Sequence, residues 1–134
     1  LLDHAKAKPG TLNFGSSGAG GLGHLAGELL RFSAGIDIAH VPYRGGGPLA
    51  VDLIAGQVPL GFSWYPNVVA ALNANGAKAL AVAAKTRLAA LPNVPTTAEA
   101  GLPAFQASLW YGLWAPKGTP PDLVAKINAA ARSR

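Results

Sequence analysis

The fold is read most directly from one segment, Asn13-Phe14-Gly15-Ser16-Ser17-Gly18-Ala19-Gly20-Gly21-Leu22-Gly23-His24. A short β-like run, Thr11 to Phe14, precedes its Gly- and Ser-rich part, and a helical pattern follows from Leu22 to Ala34. Glycines allow backbone N–H groups to face a guest, and the positive end of a helix dipole favours negative charge. The segment therefore predicts an anion-binding loop between a strand and a helix, at the carboxyl edge of a parallel sheet.

Alternating strand-like and helix-like segments continue on both sides of this loop. Apolar and aromatic runs predict further strands at 36–41, 59–64, 79–83 and 108–114. Helical patterns predict helices at 1–8, 48–55, 67–74 and 123–132, and a capping box predicts a single turn at 96–99. This alternation predicts one α/β domain over residues 1–134, a three-layer sandwich around a mostly parallel sheet.

Three loops of this fold are expected to meet at one edge of the sheet. Right-handed crossovers place there the loops that follow the first three strands, at 16–21, 43–47 and 63–65, and each leads into a helix N-terminus. Arg44 is either a guanidinium for a ligand carboxylate or a solvated surface charge. Tyr43 and Trp64 either line the crevice or pack beneath it. The loops are interpreted as part of a site for a small carboxylate, with binding favoured over catalysis.

Composition limits the classes of partner. With 134 residues, 50% hydrophobic and 13% charged, the chain is a globular domain rather than a disordered segment. The net charge of +5 could suggest nucleic acid, but the eleven Lys and Arg form no run, so a small anionic ligand fits better. The absence of Cys excludes disulfides and thiol catalysis. The chain has no Met, begins like the end of a helix and shows no signal-peptide pattern, which predicts a fragment of a longer protein.

Two catalytic interpretations of the same residues compete with binding. Residues 18–23 satisfy G-x-G-x-x-G, and Asp37 follows at a suitable distance for a ribose-binding acid, so a Rossmann-like dinucleotide-binding domain of an oxidoreductase is the alternative. Asp37, however, stands at the start of the second strand rather than at its end. A nucleophile elbow is absent because Ala19 occupies its second Gly position. His24 is expected to orient the loop, and no catalytic, cofactor-binding or metal-binding residue is assigned.

The order of short motifs resembles one family, the Bug-type solute receptors of tripartite tricarboxylate transporters. The similar motifs, in chain order, are Phe14-Gly15-Ser16-Ser17-Gly18-Ala19-Gly20, His24-Leu25-Ala26-Gly27-Glu28, His40-Val41-Pro42-Tyr43-Arg44-Gly45, Leu53-Ile54-Ala55-Gly56-Gln57-Val58, Leu91-Pro92-Asn93-Val94-Pro95-Thr96, Glu99-Ala100-Gly101-Leu102-Pro103, Trp110-Tyr111-Gly112-Leu113-Trp114-Ala115-Pro116 and Gly118-Thr119-Pro120. The resemblance covers essentially the whole chain.

The resemblance implies one lobe of a type II periplasmic-binding-protein fold, the second of two lobes that close on a ligand. It implies a periplasmic protein that binds a small carboxylate, works with the membrane subunits of a tripartite transporter, and needs a first lobe that this chain lacks. Residues 108–116 would be a strand crossing the hinge, and 119–132 the helix after it. The residues implied for the site are Ser16, Ser17, Gly18, Gly20 and Gly21, with Tyr43, Arg44, Ser63 and Trp64 from the neighbouring loops.

The chain departs from the family pattern at two places. Ala19-Gly20-Gly21 stands where the family often has Asn-Gly-Thr, so a hydroxyl is lost, and Ser63 stands where it often has Asp. An ammonium group would want that Asp, so the resemblance implies a dicarboxylate or aromatic carboxylate rather than an amino acid. An isolated lobe is expected to bind weakly, and its exposed crevice invites self-association.

Overall fold

The chain folds as alternating strands and helices in a computed structural model, which describes residues 1–108 and 112–132. The strands of its sheet are β1 (Leu12–Ser16), β2 (Ile38–Pro42) and β3 (Leu60–Phe62). The helices within the described ranges are α1 (Leu2–Ala7), α2 (Leu22–Ala34), α3 (Gly46–Ile54), α4 (Tyr65–Asn73) and α5 (Pro121–Arg132). The sheet is parallel with strand order β2-β1-β3, as the βαβ pattern predicts.

Helices cover both faces of this sheet, and neighbouring residues of β1 point to opposite faces. Phe14 faces α2, where Gly27 leaves room for its ring: a Cβ on Gly27 would overlap the ring atoms. Gly15 faces α3, and its missing side chain lets Leu49 and Tyr43 come close. The helices α2 and α3 therefore lie on opposite faces, which confirms the predicted three-layer sandwich.

The hydrophobic core lies between the sheet and α2. Phe14 is fully buried, and the Phe62 ring meets it edge-on with centroids 5.6 Å apart. Other core side chains come from α1, α2, the turn between α2 and β2, β2 itself and the segment after α4: Ala5, Ala26, Leu30, Ile36, Ile38 and Phe105. Fully burying a side chain such as Phe14 contributes about 1.5–3 kcal/mol to the stability of the fold, so this contact holds α2 against the sheet.

The strand order creates a switch point at the carboxyl ends of β1 and β3. From the central strand the chain passes through α2 to β2, then through α3 to β3 on the other side of β1. Helices leaving adjacent strands on opposite faces open a crevice outside the strand ends, where open α/β sheets bind ligands. The glycine-rich loop follows β1, and Ser63 follows β3, so both border this crevice.

The predicted strand at 79–83 is wrong. In the structure only Val82 forms a bridge, with Thr96, through bonds between Val82 N and Pro95 O (2.9 Å) and between Thr97 N and Val82 O (2.9 Å). Pro95 has no N–H to extend the ladder, and the chain turns away at Thr96 into a capped turn. A single bridge does not make a strand, so this apolar run is a loop, in which Leu80 is 48% exposed.

The C-terminal part is described incompletely. Of the predicted strand at 108–114, residues 109–111 lie outside the described residues, and the described remainder is not in a strand. None of the residues of α5 is buried, and Leu123, Val124 and Ile127 are each more than two fifths exposed. Within the described ranges, no helix has the length and hydrophobicity needed to cross a bilayer.

Candidate ligand-binding site at the carboxyl edge of the sheet

The three predicted loops meet at one edge, as expected from the sequence. The amide of Gly45 donates to the Ser17 carbonyl oxygen (3.2 Å), which joins the loops after β1 and β2. Gly23, in the first turn of α2, lies against the end of β3 so closely that a Cβ there would be 2.8 Å from the Phe62 carbonyl oxygen. We call residues 17–24, 43–47 and 63–67 together the open edge.

Three helices begin at the open edge, and none has its N-terminus capped by a side chain. The N-cap residues of α2, α3 and α4 are Gly21, Gly45 and Trp64, and none of these helices has an acidic residue in its first turn. By contrast, α1 and α5, which begin elsewhere, have Asp3 and Asp122 in their first turns. The first N–H groups of a helix lack partners within it and carry partial positive charge. The open edge therefore presents uncompensated positive ends suited to an anion.

Ser16 holds the glycine-rich loop from beneath. It is fully buried, and its Oγ lies 2.7 Å from His40 Nε2 and 3.0 Å from the Gly18 carbonyl oxygen. The Gly18 amide in turn donates to Ser16 Oγ at 3.3 Å. These contacts give the Ser16 hydroxyl protein partners, so in this conformation it supports the loop from inside.

His24 fixes the middle of the same loop, as the sequence predicts. Its Nδ1 accepts a hydrogen bond from the Gly20 amide at 3.0 Å, and its ring stacks on His40 with centroids 3.9 Å apart and planes 18° from parallel. Burial, and next the charge of His24, lower the pKa of His40, while Glu28 acts in the opposite direction. The stacking was not predicted, because His24 and His40 are brought together only by the pairing of β1 with β2.

The remaining loop residues are more open to a ligand. Ser17 is half-buried, its hydroxyl has no hydrogen-bond partner in the described part of the chain, and Gly21 is exposed. Gly20 has a φ of 76°, a backbone conformation that favours glycine. Because the Gly18 and Gly20 amides already have partners, the donors best placed for a guest are the first amides of α2, from Leu22 onward.

The second loop supplies one packed and one free side chain. Tyr43 lies with its ring against Gly15 and donates its hydroxyl to Asp52 at 2.9 Å. Desolvation, together with this bond to Asp52, raises the pKa of Tyr43. Arg44 is exposed and forms no ion pair or side-chain hydrogen bond with the described residues. Its guanidinium is therefore available to a carboxylate arriving at the edge.

The third loop supplies a hydroxyl without a partner. Ser63 Oγ is buried and is the side-chain polar atom left unsatisfied among the described residues. Leaving such a group unpaired costs about 1–3 kcal/mol. The neighbouring Trp64 is 37% exposed at the start of α4 and offers an apolar surface beside the hydroxyl.

The dinucleotide alternative finds no support in this geometry. Asp37 precedes β2, and its carbonyl oxygen accepts the Gly10 amide at the opposite edge of the sheet. The five residues of β2 separate the two edges by roughly 16 Å, so the carboxylate is far from the ribose of a nucleotide on the glycine loop. No group of three or more potential metal-ligating side chains occurs among the residues that the structure describes.

The sequence matches, over residues 1–134, the family described as "Tripartite tricarboxylate transporter family receptor". The chain belongs to this family. It is 40% identical over 133 residues to an Agrobacterium vitis UPF0065 protein from the TAR-I ttuE-ttuC' intergenic region, covering 99% of this chain and 38% of that one. It is 38% identical over 128 residues to protein BugT of Bordetella pertussis, covering 96% of this chain and 39% of BugT. The chain thus spans about two fifths of the length of these relatives.

Solved structures share the fold. A periplasmic transporter structure is 45% identical with a TM-score of 0.90, and the match covers 97% of this chain and 43% of that chain. An R. palustris protein with adipate is 36% identical with a TM-score of 0.92, covering 96% and 43%. MatC from Rhodopseudomonas palustris with bound malate is 38% identical with a TM-score of 0.84, covering 96% and 44%. The family is therefore one of solute receptors, and two of these neighbours were solved with dicarboxylates.

Proposed function

We propose that this chain is the ligand-binding lobe of an extracytoplasmic receptor for a small carboxylate. The proposal rests on one observation: three helices without side-chain caps begin at the switch point of the sheet, with no acidic residue in their first turns. Membership of the receptor family and the adipate- and malate-bound neighbours support the same ligand class.

In this proposal different groups of the open edge bind the carboxylates and the apolar body of the ligand. One carboxylate accepts hydrogen bonds from the first amides of α2 and from the hydroxyl of Ser17, with Gly18, Gly20 and Gly21 allowing the close approach. Arg44 pairs with the free charge of the same or a second carboxylate. Ser63 Oγ gains a partner, and Trp64 packs on the apolar body of the ligand. Ser16 and Tyr43 act from beneath by holding the loops.

The rest of the receptor is proposed from the family. The chain would close on its ligand together with a first lobe, reside in the periplasm and deliver its ligand to the membrane subunits of a tripartite transporter. Residues 108–116 would cross the hinge. Because one lobe makes only part of the contacts, the isolated chain should bind weakly: each 1.4 kcal/mol lost is about tenfold in Kd. The exposed edge also invites self-association, which light scattering measures.

Titration of the isotope-labelled chain with adipate and malate, followed by NMR, tests the proposal even at weak affinity. Amide shifts are expected at residues 17–24, 44–46, 63–65 and 67, with dissociation constants of about millimolar or weaker. The neutral diol of the same length as adipate is the matched control and should leave these amides unchanged. Arg44→Gln should weaken the response, whereas Lys6→Gln, an exposed charge in α1, should not.

Three results would contradict the proposal. One is shifts confined to the opposite edge of the sheet near Asp37, and another is an equal response to the neutral diol. The third is binding of NAD at residues 18–23 that Asp37→Ala abolishes, which would restore the dinucleotide alternative.

A further inference from the structure

The middle of the glycine-rich loop is held by a histidine whose bond requires one protonation state. The Gly20 amide donates to His24 Nδ1 at 3.0 Å, so this nitrogen must carry a lone pair and no proton. If His24 were doubly protonated, two N–H groups would face each other across the same 3.0 Å. The Gly20 amide would then have to leave its present position, and the loop would change conformation.

A second histidine packs directly on the first. The His40 ring stacks face to face on His24 at 3.9 Å, and its Nε2 is bonded to Ser16 Oγ at 2.7 Å. Two positive rings in this arrangement would repel each other, and the pKa of His40 is lowered by burial and by His24. The stack therefore connects the two side chains that hold the loop, Ser16 beneath Gly18 and His24 beneath Gly20.

We propose that His24 is a positioning residue for the carboxylate site, acting only in its neutral form through its bond to Gly20 and its stacking on His40. This role rests on the proposed function, since it concerns the same loop. Histidine changes its charge between about pH 5 and pH 8, so the shape of the loop, and with it ligand affinity, is coupled to proton concentration. Carboxyl groups have pKa values near 4, so those of the ligand stay largely charged between pH 8 and pH 6.

Few other charged groups face the pair. On α2, Glu28 Oε1 lies 3.9 Å from His24 Nε2, and the other oxygen of Glu28 is paired with Arg31 at 2.8 Å. From β2, His40 is the titratable neighbour, and the Phe14 ring of β1 packs against His40 with centroids 5.0 Å apart.

Substitutions at His24 separate the acceptor from the charge. His24→Asn places an amide oxygen near the position of Nδ1, so it can accept from Gly20 at every pH and cannot become charged. His24→Gln places its terminal group near the position of Nε2 and loses the Gly20 bond. His4→Asn removes an exposed histidine in α1 and is the matched control. Thermal unfolding of each variant shows whether it is folded.

The first measurement needs no ligand. Between pH 8 and pH 6 the Gly20 amide resonance of the native chain should move together with the imidazole nitrogen resonances of His24. It should stay constant in His24→Asn, and in His24→Gln it should resemble the acidic native chain already at pH 8. A Gly20 resonance that titrates equally in His24→Asn, or that His24→Gln leaves unchanged, would overturn the positioning role.

The second measurement is adipate affinity over the same pH range. Because an ordinary hydrogen bond corresponds to about three- to tenfold in an equilibrium constant, affinity should fall about threefold from pH 8 to pH 6 in the native chain and in His4→Asn. In His24→Asn the fall should disappear, and a fall that persists there counts against the proposal. Coupling of Gly20 to His24 without any adipate response supports the positioning role and counts against the carboxylate site; adipate binding that ignores His24 does the reverse.

Discussion

Two polar regions of this chain differ in whether side chains cap their backbone N–H groups. In one, which we call the capped corner (Arg87, Thr96 and Glu99), side chains and backbone amides are hydrogen-bonded to one another. Glu99 accepts the Thr96 amide at 2.7 Å, Thr96 Oγ1 accepts the Glu99 amide at 3.2 Å, and Arg87 donates to the same carboxylate at 2.9 Å. In the open edge, three longer helices begin with no side-chain cap at all.

The difference is the one expected if the capped corner stabilises the chain itself and the open edge, as we propose, receives a ligand. A capping box satisfies the donors of a turn from within and so stabilises the fold. The Gly N-caps of α2 and α3 give up only a few tenths of a kcal/mol of that stabilisation, and an N-cap such as Trp64 of α4 gives up about 1 kcal/mol. Three such omissions at one switch point, beside an unpaired Ser63 hydroxyl, are better explained by an external anion than by chance.

The largest effect is expected from Gly27→Val, which disrupts the packing of α2 on the sheet and thereby the open edge. A side chain at Gly27 would overlap the fully buried Phe14 ring, so α2 must move off the sheet. We expect a loss of about 3 kcal/mol or more in the free energy of unfolding, measured with urea. Gly47→Val is the matched control, because a Cβ there meets nothing within 4 Å. Equal stability of the two variants would show that Phe14 does not seat α2.

Much of the fold behind this comparison follows from local sequence signals. The apolar stripe from Leu22 and the glycine after Ala34 predict α2 within its observed bounds, and Gly35 indeed adopts the left-handed conformation with φ 60°. The βαβ alternation then requires a parallel sheet with its loops on one edge. The strand predicted at 79–83 was wrong, because a short apolar segment has the same sequence pattern whether it pairs in a sheet or forms a loop.

The site was predicted less completely because its contacts are long-range. The sequence shows that glycines follow β1, but not that Ser16 and His24 turn inward and take the Gly18 and Gly20 amides. Nor does residue spacing reveal that His40 stacks on His24, since that depends on β1 and β2 being neighbours. The one available signal was His40 near the carboxyl end of a strand expected beside the loop.

A smaller effect, in the opposite region, is expected from Thr96→Ala. Thr96 is 4% exposed, and its hydroxyl caps the turn by accepting the Glu99 amide. Removing the cap should lower the free energy of unfolding by about 1 kcal/mol and leave the adipate-induced shifts at the open edge unchanged. Thr119→Ala removes an exposed hydroxyl bonded to the Pro116 carbonyl oxygen and is the control. Loss of the adipate response in Thr96→Ala would show that the two regions are coupled.

The capped corner should also be sensitive to acid. The hydrogen bond from Arg87, followed by that from the Thr96 amide, lowers the pKa of Glu99 from 4.5 to about 2. Because the folded value is depressed, this stabilisation is fully present above about pH 4.5 and is lost as the pH falls toward 2. Glu99→Gln should therefore unfold at a lower temperature than the native chain at pH 7, with the difference shrinking to nothing near pH 2. A constant difference across this range would mean that the Glu99 charge contributes nothing.

The smallest change in stability, and the sharpest test of the comparison, is expected from Gly21→Asp. Gly21 is the N-cap of α2 with φ −74° and ψ 167°, which any residue adopts, and a Cβ there meets only the Gly18 carbonyl oxygen at an ordinary 3.5 Å. Asp exceeds Gly as an N-cap by only a few tenths of a kcal/mol, so the free energy of unfolding should rise slightly. The new carboxylate would occupy the first amides of α2 permanently.

Gly21→Asp thus gives the start of α2 a side-chain cap and should abolish the adipate-induced shifts at residues 22–24. Ser33→Asp adds the same charge near the other end of α2, at an exposed position. It should lower stability slightly, because a negative charge opposes the dipole there, and it should keep the adipate response. Undiminished adipate binding by Gly21→Asp would mean that the α2 amides are not where the carboxylate sits, and the uncapped helices would need another explanation.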